Sequence, residues 1–353
     1  MIDVIRILLP AVVAFIVGIA LSPVVTHYLY KYKAWKKHGG KRALDGTEAT
    51  EFARLHKATE TKTPRMGGIV IWGSLALTAA AFWLVSMLAP STTTESLNFI
   101  NRNQTWIPLM TLLVGAFVGL VNDILDVVDK PQPLGLPLSV RLAIITLLSL
   151  GIGWWFYTKL GITSIGIPFL EPLHLGVFIV PLFIGTTLFV YASGVIDGID
   201  GLSGGVFASI FSGYAFIAFA NGQYDLAAFC AALVGALLAF LWFNVPPARY
   251  WMTETGTMSL TLTLAAIAFL TDLKGEGNGI AVLPVIGFLL VATVASNVLQ
   301  IGWKRFFKRK LFRIAPLHHH FEAIGWSQPK VTMRYWILSL ILCISGVTLA
   351  LLG

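Results

Sequence analysis

A chain of 353 residues with 56% hydrophobic residues, 12% charged residues and a mean hydropathy of +0.79 is too apolar to divide into two or three soluble domains. Its length goes instead into membrane spans. The formal charge of +8 would suggest nucleic acid in a soluble protein, but here the basic residues flank apolar segments, where they set topology and meet anionic headgroups.

The apolar runs fall at 7–30, 67–89, 106–121, 142–157, 175–192, 206–220, 226–243, 258–270, 280–301 and 336–352. They predict an all-α, polytopic membrane protein of about ten helices, forming a single transmembrane domain over 1–353. The first run is long and lacks a small-residue cleavage pattern, so it is expected to be a retained span. Cys230 and Cys343 both lie in apolar runs, and neither a disulfide nor a metal site is expected of them. With ten spans both termini share one side. All but four of the 25 lysines and arginines (Arg6, Arg102, Lys159 and Lys274) fall in the odd-numbered loops. The positive-inside rule then places those five loops in the cytoplasm and both termini outside. The opposite-side segments are plain: Ser91-Thr92-Thr93-Thr94 with Asn101 and Asn103, and 161–173, which reads as a small hairpin.

The chemistry gathers in the odd loops. Loop 1 carries Thr63-Pro64-Arg65-Met66-Gly67-Gly68. Loop 3 carries Asn122-Asp123 and Asp126, then Asp129-Lys130. On a helix Asp123 and Asp126 share a face, and clustered carboxylates suit Mg²⁺, which takes few protein ligands and completes its shell with phosphate oxygens. The plainer reading is a solvated helix end. Loop 5 carries Asp197-Gly198-Ile199-Asp200-Gly201, two acids three positions apart, each followed by glycine. Acids among apolar spans are costly and mark a functional site, and the glycines permit tight turns and close approach to a ligand. An ordinary loop with solvated acids is the alternative.

Loop 7 runs from Asn244 through Pro246-Pro247 to Trp251 and Glu254. Trp251 suits base stacking or membrane-interface anchoring, and Asn244 a ligand contact or a helix cap. Loop 9 holds Lys304, Arg305, Lys308, Arg309 and Lys310, which read first as headgroup anchors, and then His318-His319-His320 between Pro316 and Phe321. Adjacent histidines point different ways and match no zinc spacing. Phosphate binding or proton transfer by one or two of them stands beside a polar-surface reading. Binding groups at span ends favour an enzyme at the membrane surface over a transporter, whose site would sit near mid-membrane.

Pro316–Glu322, continued by Gly325-Trp326, Pro329-Lys330 and Arg334-Tyr335-Trp336, resembles the phospho-N-acetylmuramoyl-pentapeptide transferases, the bacterial lipid I synthases. Phe240-Leu241-Trp242-Phe243-Asn244 with Pro246-Pro247-Ala248, and Thr63-Pro64 before Met66-Gly67-Gly68, are similar to the same family, and the likeness spans nearly the whole chain. The doublet of loop 5 is shared with the wider polyprenyl-phosphate sugar-phosphate transferases. The resemblance implies attack of undecaprenyl phosphate on UDP-N-acetylmuramoyl-pentapeptide, with UMP leaving. It also implies a Mg²⁺ cofactor and a bacterial inner (plasma) membrane location with a cytoplasmic site. Membrane lipids are implied partners, a homodimer is left open, and no nucleic acid is expected.

Carried over by position, the resemblance makes Asp123, His318 and His319 catalytic. It makes Asp197, Gly198, Asp200, Asn244, Trp251 and Thr63 substrate-binding, and Glu254 with Asp123 metal-binding. Several positions depart from the family pattern. Asn122 stands where the first acid of an aspartate pair is usual, Asp126 where a lysine is, Gly194 where an asparagine is, Glu254 where an aspartate is, and Arg65 where a threonine is. These departures keep two other expectations in view: transfer of another sugar phosphate to a polyprenyl phosphate, and a weak or inactive homologue with a binding or scaffold role.

Overall fold

A computed structural model of the chain describes residues 2–36, 60–101, 104–128, 135–272 and 277–353. Asp129, Lys130 and Asn103, with Arg102, Lys274 and the loop 1 bases Lys37, Lys41, Arg42, Arg54 and Lys57, lie outside the described residues.

Nine described helices are long and apolar enough to cross a membrane, and they match nine of the ten expected runs. In chain order the helices are α1 Ile2–Lys31, α2 Gly68–Leu88, the short α3 Thr92–Leu97, α4 Trp106–Val127 and α5 Leu138–Thr158. They continue with α6 Ile179–Ala192, α7 Leu202–Ala220, α8 Tyr224–Asn244 and α9 Thr253–Leu270. The last are the one-turn α10 Leu283–Ile286, then α11 Phe288–Phe307, the short α12 Leu317–Ala323 and α13 Gln328–Leu352. The expected run 280–301 is the exception. It is broken at Gly287 into α10 and α11. α11 also carries Asn297, Gln300, Lys304 and Arg305, which dilute its apolar character.

The segment read as a hairpin is one: β1 Ser164–Ile167 pairs antiparallel with β2 Leu170–His174, and Ser164 stands opposite His174. Asp272 ties this end together, accepting from the Gly166 N–H at 2.9 Å and the Ile280 N–H at 3.2 Å.

α9 is the central post. Nearly every side chain along it is buried, and it packs on α2, α4 and α6. α8 lies between α1 and α7, and α13 closes against α7. Lipid tails are as apolar as leucine, so such helices associate where small residues let backbones meet. Gly115 and Gly119 form such a stripe on α4. A Cβ at Gly119 would stand 2.1 Å from the Glu254 carbonyl oxygen, and one at Gly115 2.8 Å from that of Met258. This close crossing puts the end of α4, with Asp123, against the first turn of α9.

Candidate active site

Four segments that are distant in sequence meet where α4 and α9 cross. Asp123, fully buried on α4, is the hub. Its Oδ2 accepts from Thr253 Oγ1 at 2.5 Å, Thr255 Oγ1 at 2.6 Å and the Thr255 N–H at 2.8 Å. Three donors on one oxygen offset the cost of burying the charge. Thr253 links this acid to the next, since its own N–H donates to Asp197 Oδ2 at 2.8 Å. Its φ of 54° is left-handed, an outlier for a β-branched residue that persists only when its surroundings over-determine it. Both carboxylates it bridges supply that constraint.

Asp197 also accepts from Ser203 Oγ at 2.6 Å. Asp200 takes the Trp251 indole N–H at 2.9 Å on Oδ1 and the Ala248 N–H at 3.0 Å on Oδ2. Loops 5 and 7 are thereby locked together. Asn244 sits behind this lock, accepting from the Gly201 N–H at 3.0 Å and donating to the Tyr250 carbonyl at 2.8 Å. The start of α13 completes the seat, with Thr332 Oγ1 donating to the Asp200 carbonyl and Trp336 Nε1 to that of Gly201.

The three histidines divide. His318 and His319 are buried, with ring centroids 4.4 Å apart, and they close over Gly198. A Cβ there would meet His318 Nε2 at 2.5 Å and His319 Nε2 at 2.6 Å, so glycine is what lets both rings reach the doublet. His319 Nδ1 lies 2.6 Å from Glu322 Oε2, a carboxylate that fixes the ring's orientation. His320 turns away. Its Nδ1 accepts from the Arg313 N–H at 3.2 Å, and burial, then the Arg313 charge, hold its pKa below the ordinary imidazole value.

The departures also have partners. Asn122 Oδ1 accepts from the Leu136 N–H at 2.9 Å, which makes this amide a brace for the segment leading into α5. Arg65 Nη2 stands 3.1 Å from Asp126 Oδ2 and 3.4 Å from Asp123 Oδ1, and Lys36 Nζ is 3.7 Å from Asp126. Burial alone would lower the Arg65 pKa, but Asp123 and then Asp126, with a smaller contribution from Glu254, hold it above the ordinary value. Glu254 Oε1 pairs with Arg141 Nη1 at 2.6 Å. Thr63 is half-buried beside Pro64, whose carbonyl accepts from the Trp251 N–H at 2.8 Å.

Asp123, Asp197, Gly198, Asp200, Asn244, Trp251, Glu254, His318 and His319 are therefore brought to one end of the bundle, with Thr63 at its margin. Thr253, Thr255, Ser203 and Arg141 belong to the same network and were not anticipated. Two of them flank Glu254 as Thr253-Glu254-Thr255, a polar triplet at a span start that could have drawn attention. Among the described residues no group of three or more His, Cys, Asp or Glu forms a metal cage. A cation that takes one or two carboxylates and completes its shell with phosphate oxygens and water needs less. Asp123 and Glu254 supply one carboxylate each at this crossing, on helices whose backbones touch.

A model of glycosyl transferase family 4 matches residues 105–272, a range that includes Asp123, the doublet and Glu254 but stops short of the histidine segment. Curated relatives cover almost the whole chain. A phospho-N-acetylmuramoyl-pentapeptide-transferase of Anoxybacillus flavithermus is 33% identical over 346 residues, 97% of each chain. The protein of that name from Clostridium perfringens is 31% identical over 96% of this chain and 95% of its own. That from Geobacillus kaustophilus is 30% identical over 95% of each.

Proposed function

The chain belongs to the phospho-N-acetylmuramoyl-pentapeptide-transferase family, and from that premise we propose that it transfers phospho-N-acetylmuramoyl-pentapeptide from its UDP donor to undecaprenyl phosphate. The products are lipid I and UMP. The observation that carries this reading is the meeting, at the end of a membrane bundle, of Asp123 and the loop 5 doublet, hydrogen-bonded through Thr253, with the buried His318–His319 pair packed on Gly198. That position brings a lipid phosphate and a soluble nucleotide together, and orientation of two reactants supplies much of a transfer enzyme's advantage. In this reading the site faces the cytoplasm of a bacterial inner membrane. The basic residues crowded on that side of the expected topology support it.

The doublet and its loop 7 partners form the nucleotide seat, with Asp200 holding the Trp251 ring in a set orientation. Asp123 and Glu254 would hold Mg²⁺. When bound, that ion offsets charge on the diphosphate and on the departing phosphate. His319, oriented by Glu322, is placed to donate a hydrogen bond or a proton at Nε2 beside Gly198. The acceptor phosphate is largely ionised near neutral pH, so Asn122 needs no base function. The homodimer remains part of the proposal and is read by light scattering of the solubilised chain.

UMP release by the purified, detergent-solubilised protein tests the function, with undecaprenyl phosphate and UDP-N-acetylmuramoyl-pentapeptide supplied in Mg²⁺ or in chelator. Mg²⁺-dependent release is expected. No release from folded protein, with a known synthase active alongside, would overturn the proposal and favour another sugar donor or a binding role.

A further inference from the structure

Arg65 is mounted more firmly than a surface arginine and bonded less completely than a structural one. Its N–H donates to the Ala34 carbonyl at 2.7 Å. The next two residues are held as well, Met66 N–H by Thr253 Oγ1 at 3.0 Å and Gly67 N–H by the Trp251 carbonyl at 2.7 Å. The backbone therefore fixes where the side chain starts, beside the hub acid. The side chain runs inward and is 14% exposed.

A guanidinium has five N–H donors in a planar fork. Here both carboxylates are met by Nη2 alone, at 3.1 and 3.4 Å, longer than the ~2.7–2.9 Å of strong charge-assisted bonds. The buried Nε has no hydrogen-bond partner among the described residues. The edge that Nε and Nη2 could offer to two oxygens of one phosphate is thus only half engaged, through Nη2. Both acids also keep partners if the guanidinium moves. Asp123 retains its three threonine donors and Asp126 retains Lys36.

We infer that Arg65 is a binding residue for the diphosphate of a nucleoside diphosphate donor. Before the donor arrives, Arg65 serves as an internal cation at Asp123 Oδ1, the oxygen a divalent metal would share. A metal and Arg65 would therefore compete for Asp123 until a diphosphate draws the guanidinium off. The inference rests on the reading of this pocket as a donor site.

The test uses binding, without turnover, in the solubilised full chain: Mn²⁺ followed by electron paramagnetic resonance and UDP by calorimetry. Arg65→Met is expected to bind Mn²⁺ about tenfold more tightly than wild type and UDP about tenfold more weakly, each a loss of one charge-assisted interaction. Arg65→Lys keeps the charge but loses the fork. It is expected to leave Mn²⁺ affinity near wild type and still weaken UDP. Unchanged Mn²⁺ affinity in Arg65→Met overturns the competition. Wild-type UDP affinity in Arg65→Lys overturns the fork, and that variant decides the matter if Arg65→Met does not fold. Wild-type protein that binds no UDP at all would instead sink the donor-site reading beneath the inference.

Discussion

Gly198→Ala tests the closure of the histidines over the doublet most directly. The φ of Gly198 is not in the left-handed region, so alanine adds a methyl group with no backbone penalty. That methyl would lie 2.5 Å from His318 Nε2 and 2.6 Å from His319 Nε2, against an ordinary contact of 3.4 Å or more. Both rings must retreat by about 1 Å, and His319 cannot do so without loosening its 2.6 Å contact to Glu322. Overpacking of this kind costs about 1–3 kcal/mol. A misplacement of about 1 Å at a reacting group costs on the order of 100-fold in rate. The expected result is a fall of about 100-fold in kcat/KM for UMP release, equivalent to about 2.7 kcal/mol of transition-state stabilisation. Gly185→Ala is the control. A Cβ there meets nothing within 4 Å, and the change should leave activity intact. If Gly198→Ala keeps activity within about threefold of wild type, the rings are not held against the doublet and the reasoning fails.

Asn122→Asp retains the acceptor for the Leu136 N–H and should change the rate by less than about threefold, whereas a large gain would mean that a base is wanted at this position. Asp200→Asn leaves one oxygen for the two donors that Asp200 now satisfies, and should lower stability by about 1–3 kcal/mol in thermal unfolding, with a change in Trp251 emission. Glu322→Gln removes the charge that orients His319 and should cut kcat by about 10- to 100-fold while Tm stays close to wild type. The folded pKa of His320 lies below the ordinary imidazole value of about 6.5, so the unfolded chain binds more protons between the two values and stability falls as pH drops through that range. His320→Gln should flatten that slope in Tm measured from about pH 7.5 to 5.5.

The sequence by itself determined the membrane-spanning helices, the small hairpin at 164–174 and the segments that carry polar chemistry. These are local properties: hydropathy needs a window of about 20 residues, and an acid between apolar runs stands out wherever its neighbours lie. The partner of each group was decided only by tertiary structure. Asp123 meets Thr253 across 130 positions because Gly115 and Gly119 let α4 and α9 touch, and spacing along the chain does not encode that crossing. Asn244 could have faced a ligand or capped a helix; packing turned it to Gly201 and Tyr250. Adjacent histidines were expected to point different ways, but which of them would act was decided by the turn of α12, which sent His318 and His319 to Gly198 and His320 to Arg313. Asp126 and Arg65, each unusual alone, proved to be neighbours. A buried charge is tolerable only beside a partner, and helix packing, acting over the whole bundle, chooses which partner that is.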